Sequence, residues 1–236
     1  MTDREHVVTR TVFVVSLFVT GALYATPQLS VLAYPLLLLS TLVHELGHGL
    51  AAVLVGARFE SFELWSDGSG MAATAGESSR IASGLIAAGG LVGPALAAAL
   101  SFLAGRRAGS ARVFLALLSA GLAMALVWVV RNLFGWIFIG GFALLLGVLV
   151  VRGGKRAPQV ALVFLGTQLA LSVYSRGDYL FSPVAHTSNG LMPSDVAAMS
   201  DALFLPYWIW GAICGAVSVA ALAIGAWALW KNPSAR

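Results

Sequence analysis

Residues 31–55, VLAYPLLLLSTLVHELGHGLAAVLV, form an apolar run that carries two histidines and a glutamate near its middle. A run of this length predicts a membrane-spanning helix. Histidines four apart lie one turn above each other on a helix face, so His44 and His48 can bind one metal ion with Glu45 beside its water. Ionisable side chains at membrane depth each cost roughly 2.5–3.5 kcal/mol on insertion scales, which calls for a compensating function. The stretch therefore predicts a zinc-hydrolase site inside a membrane.

The composition of the whole chain supports a membrane protein. It is 59% hydrophobic and 10% charged, with a mean hydropathy of +0.88, which excludes a soluble domain of 236 residues. The net charge of +4 does not indicate nucleic-acid binding, because the lysines and arginines cluster in short loops between apolar runs. The lone cysteine, Cys214, excludes an intrachain disulfide.

Apolar runs of about 17–25 residues are candidate spans. We expect an all-α membrane protein, a polytopic helical bundle of about six or seven transmembrane segments that forms a single integral domain over residues 1–236. The first run begins after basic residues, but lacks a signal-peptidase pattern, so we expect an uncleaved helix. The candidate runs are 11–26, 31–56, 80–104, 113–130, 133–151, 158–174 and 207–230.

Two stretches interrupt this apolar pattern. Residues 58–76 alternate polar and apolar side chains around Asp67-Gly68, which predicts a short β-hairpin after the H-E-x-x-H helix. The second stretch, residues 175–206, holds most of the other polar side chains. Within it, Pro193 and Ser194 favour the start of a short helix.

A catalytic zinc site usually has three protein ligands and a water, so a third ligand is expected. The candidates in the second polar stretch are Asp178, His186, Asp195 and Asp201. Asp195 is the best placed, since it begins a helix that leads toward the last span. Its position also fits ordinary helix initiation, with Ser194 as the N-cap and an acidic residue in the first turn. The residue pattern leaves both interpretations open.

The basic loops indicate a topology. Lysine and arginine concentrate in residues 105–112, in residues 152–157 and at the C-terminus, and even numbers of spans separate these segments. All three are therefore predicted to be cytoplasmic, in a multi-pass protein of the cell membrane. Arg4 and Arg10 at the N-terminus join the same side only if one early segment fails to cross.

Four elements together carry a resemblance to a known family. They are H-E-L-G-H-G at 44–49, Asp-Gly-Ser-Gly at 67–70, Gly-Gly-Leu-Val-Gly-Pro-Ala at 89–95, and Ser-Asp at 194–195 ahead of Leu-Pro-Tyr-Trp at 205–208. With them the chain resembles the bacterial, B-like branch of the site-2-protease-type zinc metalloproteases. The resemblance covers residues 31–104 and 190–212.

The resemblance implies an intramembrane metalloprotease that contains Zn²⁺. Its zinc ligands would be His44, His48 and Asp195, and Glu45 would be the general base. The elements Asp67-Gly68 and Gly93-Pro94 would contact the substrate. Well-studied members carry Asn-Pro-Asp-Gly or Leu-Asp-Gly near the third ligand, and an asparagine after the Gly-Pro. This chain has neither element, since Ala95-Leu-Ala-Ala-Ala99 follows Pro94. The missing asparagine is a possible substrate-holding or oxyanion donor, so its absence bears on catalytic power.

The expected partners are a membrane-embedded protein substrate and the lipid bilayer, and no nucleic acid. The hairpin could pair with an unwound substrate strand or be a connecting loop on the bilayer. Two other functions compete with proteolysis. A non-proteolytic zinc-binding regulator would keep the histidines but tolerate loss of Glu45. A metal or proton transporter would spread its ionisable residues over several spans, unlike this single motif.

Overall fold

The computed structural model describes residues 3–26, 29–76, 79–175, 177–187 and 190–231. These residues form eight α-helices, one 3-10 helix and two small antiparallel hairpins, which confirms the predicted helical bundle with a hairpin after the motif helix. The helices are α1 (Asp3–Ala25), α2 (Ser30–Leu54), α3 (Arg80–Ala104), α4 (Ala108–Trp128), α5 (Leu133–Arg152), α6 (Ala157–Ser175), α7 (Asp195–Leu203) and α8 (Tyr207–Trp230), with the 3-10 helix at Gly177–Phe181. The strands are β1 (Arg58–Leu64), β2 (Gly70–Ala75), β3 (Val184–Thr187) and β4 (Gly190–Pro193).

Five of the described helices are long and apolar enough to cross a membrane, namely α2, α3, α4, α5 and α8. Helices α1 and α6 contain shorter apolar segments, Val7–Leu23 and Ala157–Val173. The two helices are joined by a buried hydrogen bond, which the Gln168 amide on α6 donates to the Thr20 hydroxyl on α1. The multi-pass helical architecture is thus confirmed.

Glycines bring α2 and α3 into main-chain contact. A Cβ on Gly89 of α3 would lie 2.5 Å from the Ala51 Cβ and 2.6 Å from the Gly47 carbonyl oxygen of α2. A Cβ on Gly93 would lie 3.3 Å from the Gly47 Cα. Small residues allow such close approach between membrane helices. The Gly89-x-x-x-Gly93 spacing therefore fixes α3 against the motif helix, antiparallel to it.

The first hairpin folds back along α2. Its register pairs Leu64 with Gly70 and Phe62 with Ala72. The turn between the strands is tied to the first half of α2, because the Tyr34 hydroxyl donates to the Ser66 carbonyl at 2.7 Å. Non-helical main chain therefore lies alongside the motif helix.

The outer edge of β1 is paired with the α4–α5 connector. The Phe62 N–H donates to the Val129 carbonyl at 2.7 Å, and the Arg131 N–H donates to the Phe62 carbonyl at 3.0 Å. The Asn132 side chain accepts from the Leu64 N–H at 3.2 Å and donates to the Leu64 carbonyl at 2.5 Å. The main-chain N–H and C=O groups of Phe62 and Leu64 therefore point away from β2, toward the connector.

The second hairpin and α7 follow the 3-10 helix. Sequence reasoning did not predict strands β3 and β4. It did predict the helix start after Pro193, which is confirmed: the Ser194 hydroxyl accepts from the Ala197 N–H at 3.3 Å as an N-cap. At the other end of α7, the Arg80 guanidinium donates to the carbonyls of Asp201 and Ala202 at 2.6 and 2.8 Å, so α7 is fastened to the start of α3.

Helix α1 begins at the end of the bundle where α3 and α8 finish. The Gln159 amide at the start of α6 donates to the Thr9 hydroxyl at 2.9 Å and to the Gly105 carbonyl at 3.1 Å. The Arg10 guanidinium donates to the Trp230 carbonyl at 2.6 Å. The start of α1 thus lies with the basic segments 105–112 and the C-terminal end of α8.

Candidate metal centre

The two motif histidines converge on one point beside α2. Their Nε2 atoms lie 3.2 Å apart, and their rings are nearly perpendicular, with centroids 4.8 Å apart. The His48 Nδ1 lies 2.8 Å from the Ile86 carbonyl oxygen of α3, within hydrogen-bond distance. If Nδ1 carries the proton and donates to that carbonyl, the Nε2 of His48 is left free to face His44.

Asp195 completes a three-residue group from the start of α7. Its Oδ2 lies 3.1 Å from the His44 Nε2, and its Oδ1 lies 3.3 Å from the His48 Nε2. The ligand atoms of these residues all lie within 4.8 Å of one another, the spacing of a metal-binding group. Two imidazole nitrogens and one carboxylate oxygen are a typical donor set for catalytic zinc, so the residues fit this metal.

The charge state of Asp195 suits a ligand. Burial raises the pKa of its carboxyl, but the charge and hydrogen bonds of His48 and His44 outweigh burial and hold the pKa well below its usual value. Asp195 is therefore a carboxylate at neutral pH, as metal binding requires.

Gly90 on α3 makes the room that the His48 ring occupies. A Cβ on Gly90 would overlap the Nε2, Cε1 and Cδ2 atoms of that ring. Gly90 belongs to the Gly-Gly-Leu-Val-Gly-Pro-Ala element at 89–95, but no role was predicted for it from the sequence. The adjacent Gly-Gly pair at 89–90 was the available signal, since one glycine faces the main chain of α2 and the next faces its histidine.

Glu45 lies beside the three-residue group and against the start of β2. Glu45 is buried, with 8% of its surface exposed. A Cβ on Gly70 would lie 2.8 Å from the Glu45 Cγ and 2.8 Å from the Thr41 Cγ2. The absence of a side chain at Gly70 therefore lets the strand approach the carboxylate closely.

Cavities lie on both sides of this centre. The larger has a volume of about 700 Å³ and extends under the first hairpin turn, between α2, α3 and α6. The smaller, about 290 Å³, runs along β2 toward the second hairpin. Both are lined by His44, Glu45, Gly70, Tyr179 and Ala185. Together they form a cleft that passes over the candidate metal centre.

Three of the four predicted substrate-contact residues line this cleft. Asp67, Gly68 and Pro94 line the larger cavity, whereas Gly93 packs on the main chain of α2. Asp67 also stabilises the hairpin turn, because its Oδ1 accepts from the Ser69 N–H at 2.9 Å and the Ser69 hydroxyl at 2.6 Å. These bonds lower the pKa of the Asp67 carboxyl. Gly68 has φ +90°, a conformation that favours glycine.

The other candidate third ligands are not part of the centre as described. Asp201 lies on the last turns of α7, exposed, and lines a separate surface depression beside Arg80. The side chains of Asp178 and His186 lie outside the described residues. Among the residues that the structure describes, His44, His48 and Asp195 form the group whose side chains could hold a metal ion.

The comparisons agree with the resemblance drawn from the motifs. The family model described as Peptidase M50B-like matches residues 11–225. Neither the curated proteins nor the solved structures contain a significant match to the chain. The family match spans most of the sequence and contains both the motif helix and Asp195, so the chain belongs to the Peptidase M50B-like family, the membrane metallopeptidases of the site-2-protease type.

Proposed function

We propose that this chain is a zinc-dependent intramembrane endopeptidase that hydrolyses a peptide bond in a transmembrane segment of another membrane protein. One observation carries the proposal: three metal-binding side chains and a separate carboxylate meet on a membrane helix, where a cleft passes over them. A metal used only for structure needs neither the fourth group nor the cleft.

His44, His48 and Asp195 would hold the zinc ion, and the second hairpin would bring Asp195 to it. When bound, the ion supplies a Lewis acid that polarises a scissile carbonyl and makes water acidic enough to lose a proton near neutral pH. The contact between the His48 Nδ1 and the Ile86 carbonyl orients one ligand before the metal arrives.

Glu45 is the general base. It is almost fully buried and stands outside the metal-binding group, so its carboxylate is available to accept a proton from water and pass it to the departing amine. Its packing against Gly70 restricts the side chain to the side of α2 that faces the cleft.

The outer edge of β2 would hold the substrate as an extended strand. Phe62 and Leu64 point their main-chain groups toward the α4–α5 connector. In an antiparallel pair, residues opposite such positions also point their N–H and C=O groups outward. The main-chain N–H and C=O groups of Gly70 and Ala72 therefore face the cleft. These two residues are two positions apart, the spacing at which an added strand forms hydrogen bonds. Pairing there would also keep the substrate segment unwound.

The competing functions explain less of the site. A zinc-binding regulator accounts for the histidines and Asp195, but leaves the buried Glu45 and the strand edge without a role. A transporter needs ionisable groups along a path through the bundle. The described ionisable groups at membrane depth instead concentrate at one centre.

We further propose that the protein resides in the cell membrane with residues 105–112, residues 152–157 and the C-terminal end on the cytoplasmic side. The lysine and arginine content of these segments supports this orientation. The start of α1 would share that side, because Arg10 bonds the Trp230 carbonyl at the end of α8.

Glu45→Gln tests the proposal, with Glu60→Gln on β1 as a matched control that makes the same change at an exposed position. Membrane-proteome fragments from cells expressing wild type or Glu60→Gln should contain new termini inside transmembrane segments, and those from cells expressing Glu45→Gln should not. All three proteins should bind zinc stoichiometrically. Asp195→Ala should lose zinc and Asp201→Ala should retain it. Identical fragments from all zinc-loaded forms would contradict proteolysis and favour the regulator.

A further inference from the structure

Tyr179 stands over the candidate metal centre without a part in the chemistry described so far. Its ring lies edge-on to the His44 ring, with centroids 6.0 Å apart and an interplanar angle of 77°. It lines both cavities of the cleft, as Gly70 does. A side chain in this position would contact a peptide bound along the cleft.

The 3-10 helix that carries Tyr179 is held firmly against the bundle. The Leu180 carbonyl packs onto α8 at Gly211, where any Cβ would overlap it. The Tyr179 ring itself is partly buried against an apolar cluster that includes Leu91 of α3 and Val196 of α7. The ring is therefore positioned by the same helices that position the metal ligands.

Peptide hydrolysis moves negative charge onto the scissile carbonyl oxygen, and donors fixed at that point lower the barrier. Five residues line both cavities, and two of them, His44 and Glu45, already have assigned roles. Gly70 offers main-chain groups for strand pairing, and Ala185 has no polar side-chain atom. On α3, Ala95 follows the Gly-Pro pair and is fully buried, so that position supplies no side-chain donor. Tyr179 has the remaining side-chain donor, and a phenol stays protonated at neutral pH.

We propose that Tyr179 is a catalytic residue whose phenolic hydroxyl donates a hydrogen bond to the scissile carbonyl oxygen as charge develops there. The inference rests on the proposed peptidase function. The hydroxyl keeps its proton throughout, while water adds to the carbonyl carbon, Glu45 carries the proton, and the carbon–nitrogen bond breaks. The ring contact with His44 keeps Tyr179 beside the candidate metal centre.

Tyr179→Phe separates this role from packing, because phenylalanine keeps the ring against His44. Tyr207→Phe is the control: Tyr207 packs against the same apolar cluster and lines neither cavity. With purified protein and a transmembrane peptide substrate, kcat of Tyr179→Phe should fall about a hundredfold, the size of effect of removing one oxyanion donor. KM, zinc content and melting temperature should match wild type, and Tyr207→Phe should match it in every respect.

Binding of a phosphinic peptide, whose tetrahedral phosphinate mimics the charged carbon centre, gives a second readout. Tyr179→Phe should bind it at least tenfold more weakly than wild type, while a non-hydrolysed peptide of the same sequence binds both forms equally. Wild-type turnover in Tyr179→Phe, with Glu45→Gln inactive, would overturn the role of Tyr179 and leave the peptidase intact. A wild-type protein that neither cleaves the peptide nor binds the phosphinate would overturn both.

Discussion

Replacing Gly90 with alanine should remove zinc binding while leaving the bundle folded. The added Cβ would lie 2.8 Å from the His48 Cδ2 and closer still to Nε2. Ordinary contacts begin near 3.4 Å. The Cδ2 atom must therefore move away by about 0.6 Å, and the ligand nitrogen Nε2 by more. Zinc–nitrogen bonds are about 2.0–2.1 Å long and tolerate deviations of about 0.2 Å. His48 would therefore be carried out of bonding range.

The expected loss of zinc affinity can be estimated from the effect of milder mutations near metal ligands. Mutation of a residue that merely orients a metal ligand costs about 10–100-fold in affinity. Displacing the ligand itself should cost at least the upper value, about 100-fold or 2.8 kcal/mol. Overpacking a membrane core by one methyl group destabilises the fold by about 1–3 kcal/mol. The loss of zinc affinity should thus be clear in a protein that still folds.

Competition with a chelator of known affinity measures this loss on purified protein, and thermal unfolding of the zinc-free protein measures the fold. Gly121→Ala is the control, because a Cβ at that helical position meets nothing within 4 Å, and alanine should stabilise the helix slightly. Zinc affinity of Gly90→Ala within twofold of wild type would refute the reasoning, and with it the assignment of His48 as a ligand.

Two further predictions concern the hairpin and the topology. Asn132→Ser keeps an N-cap acceptor for α5 but loses both hydrogen bonds to Leu64, and each bond contributes about 0.5–1.5 kcal/mol, so the β1 amides should exchange hydrogen about tenfold faster or more. The control, Ser119→Ala, removes a hydrogen bond between α4 and α5 away from the hairpin and should leave β1 exchange unchanged. Equal exchange rates in the two variants would contradict the pairing of β1 with the connector. Single cysteines in residues 105–112 or 152–157, in a Cys214→Ser background, should resist an impermeant thiol reagent in intact cells and react after permeabilisation, whereas labelling of intact cells would reverse the orientation.

The motif helix and its hairpin could be predicted because their signals are local. Apolar length decides a span, a four-residue spacing decides which side chains share a helix face, and Asp67-Gly68 decides a turn. The close packing of α3 on α2 was also visible, since Gly89-x-x-x-Gly93 specifies contact whatever the partner. These properties depend on residues near one another in the chain.

The second hairpin was missed although a signal was present. The sequence Asn189-Gly190 favours a turn, but the strands on either side of the connection are four residues each and lack clear alternation. The proposed role of Tyr179 and the bonds between Asn132 and Leu64 had no local signal. Tyr179 contacts His44, more than 130 positions away, and Asn132 bonds Leu64, more than 60 positions away. Asp195 was singled out by the resemblance, whereas its capping position alone left the choice open.

The hairpin also bears on whether the cleft contains water. Main-chain groups at membrane depth must be paired within the protein or line a cavity that holds polar molecules. β1 meets this requirement on both edges, through β2 and through the connector at Val129 to Asn132. The outer groups of Gly70 and Ala72 face the cleft instead, next to the buried Glu45. In the proposed mechanism, water and then a substrate strand would pair with these outer groups, so the strand edge and the metal centre would share one hydrated cleft.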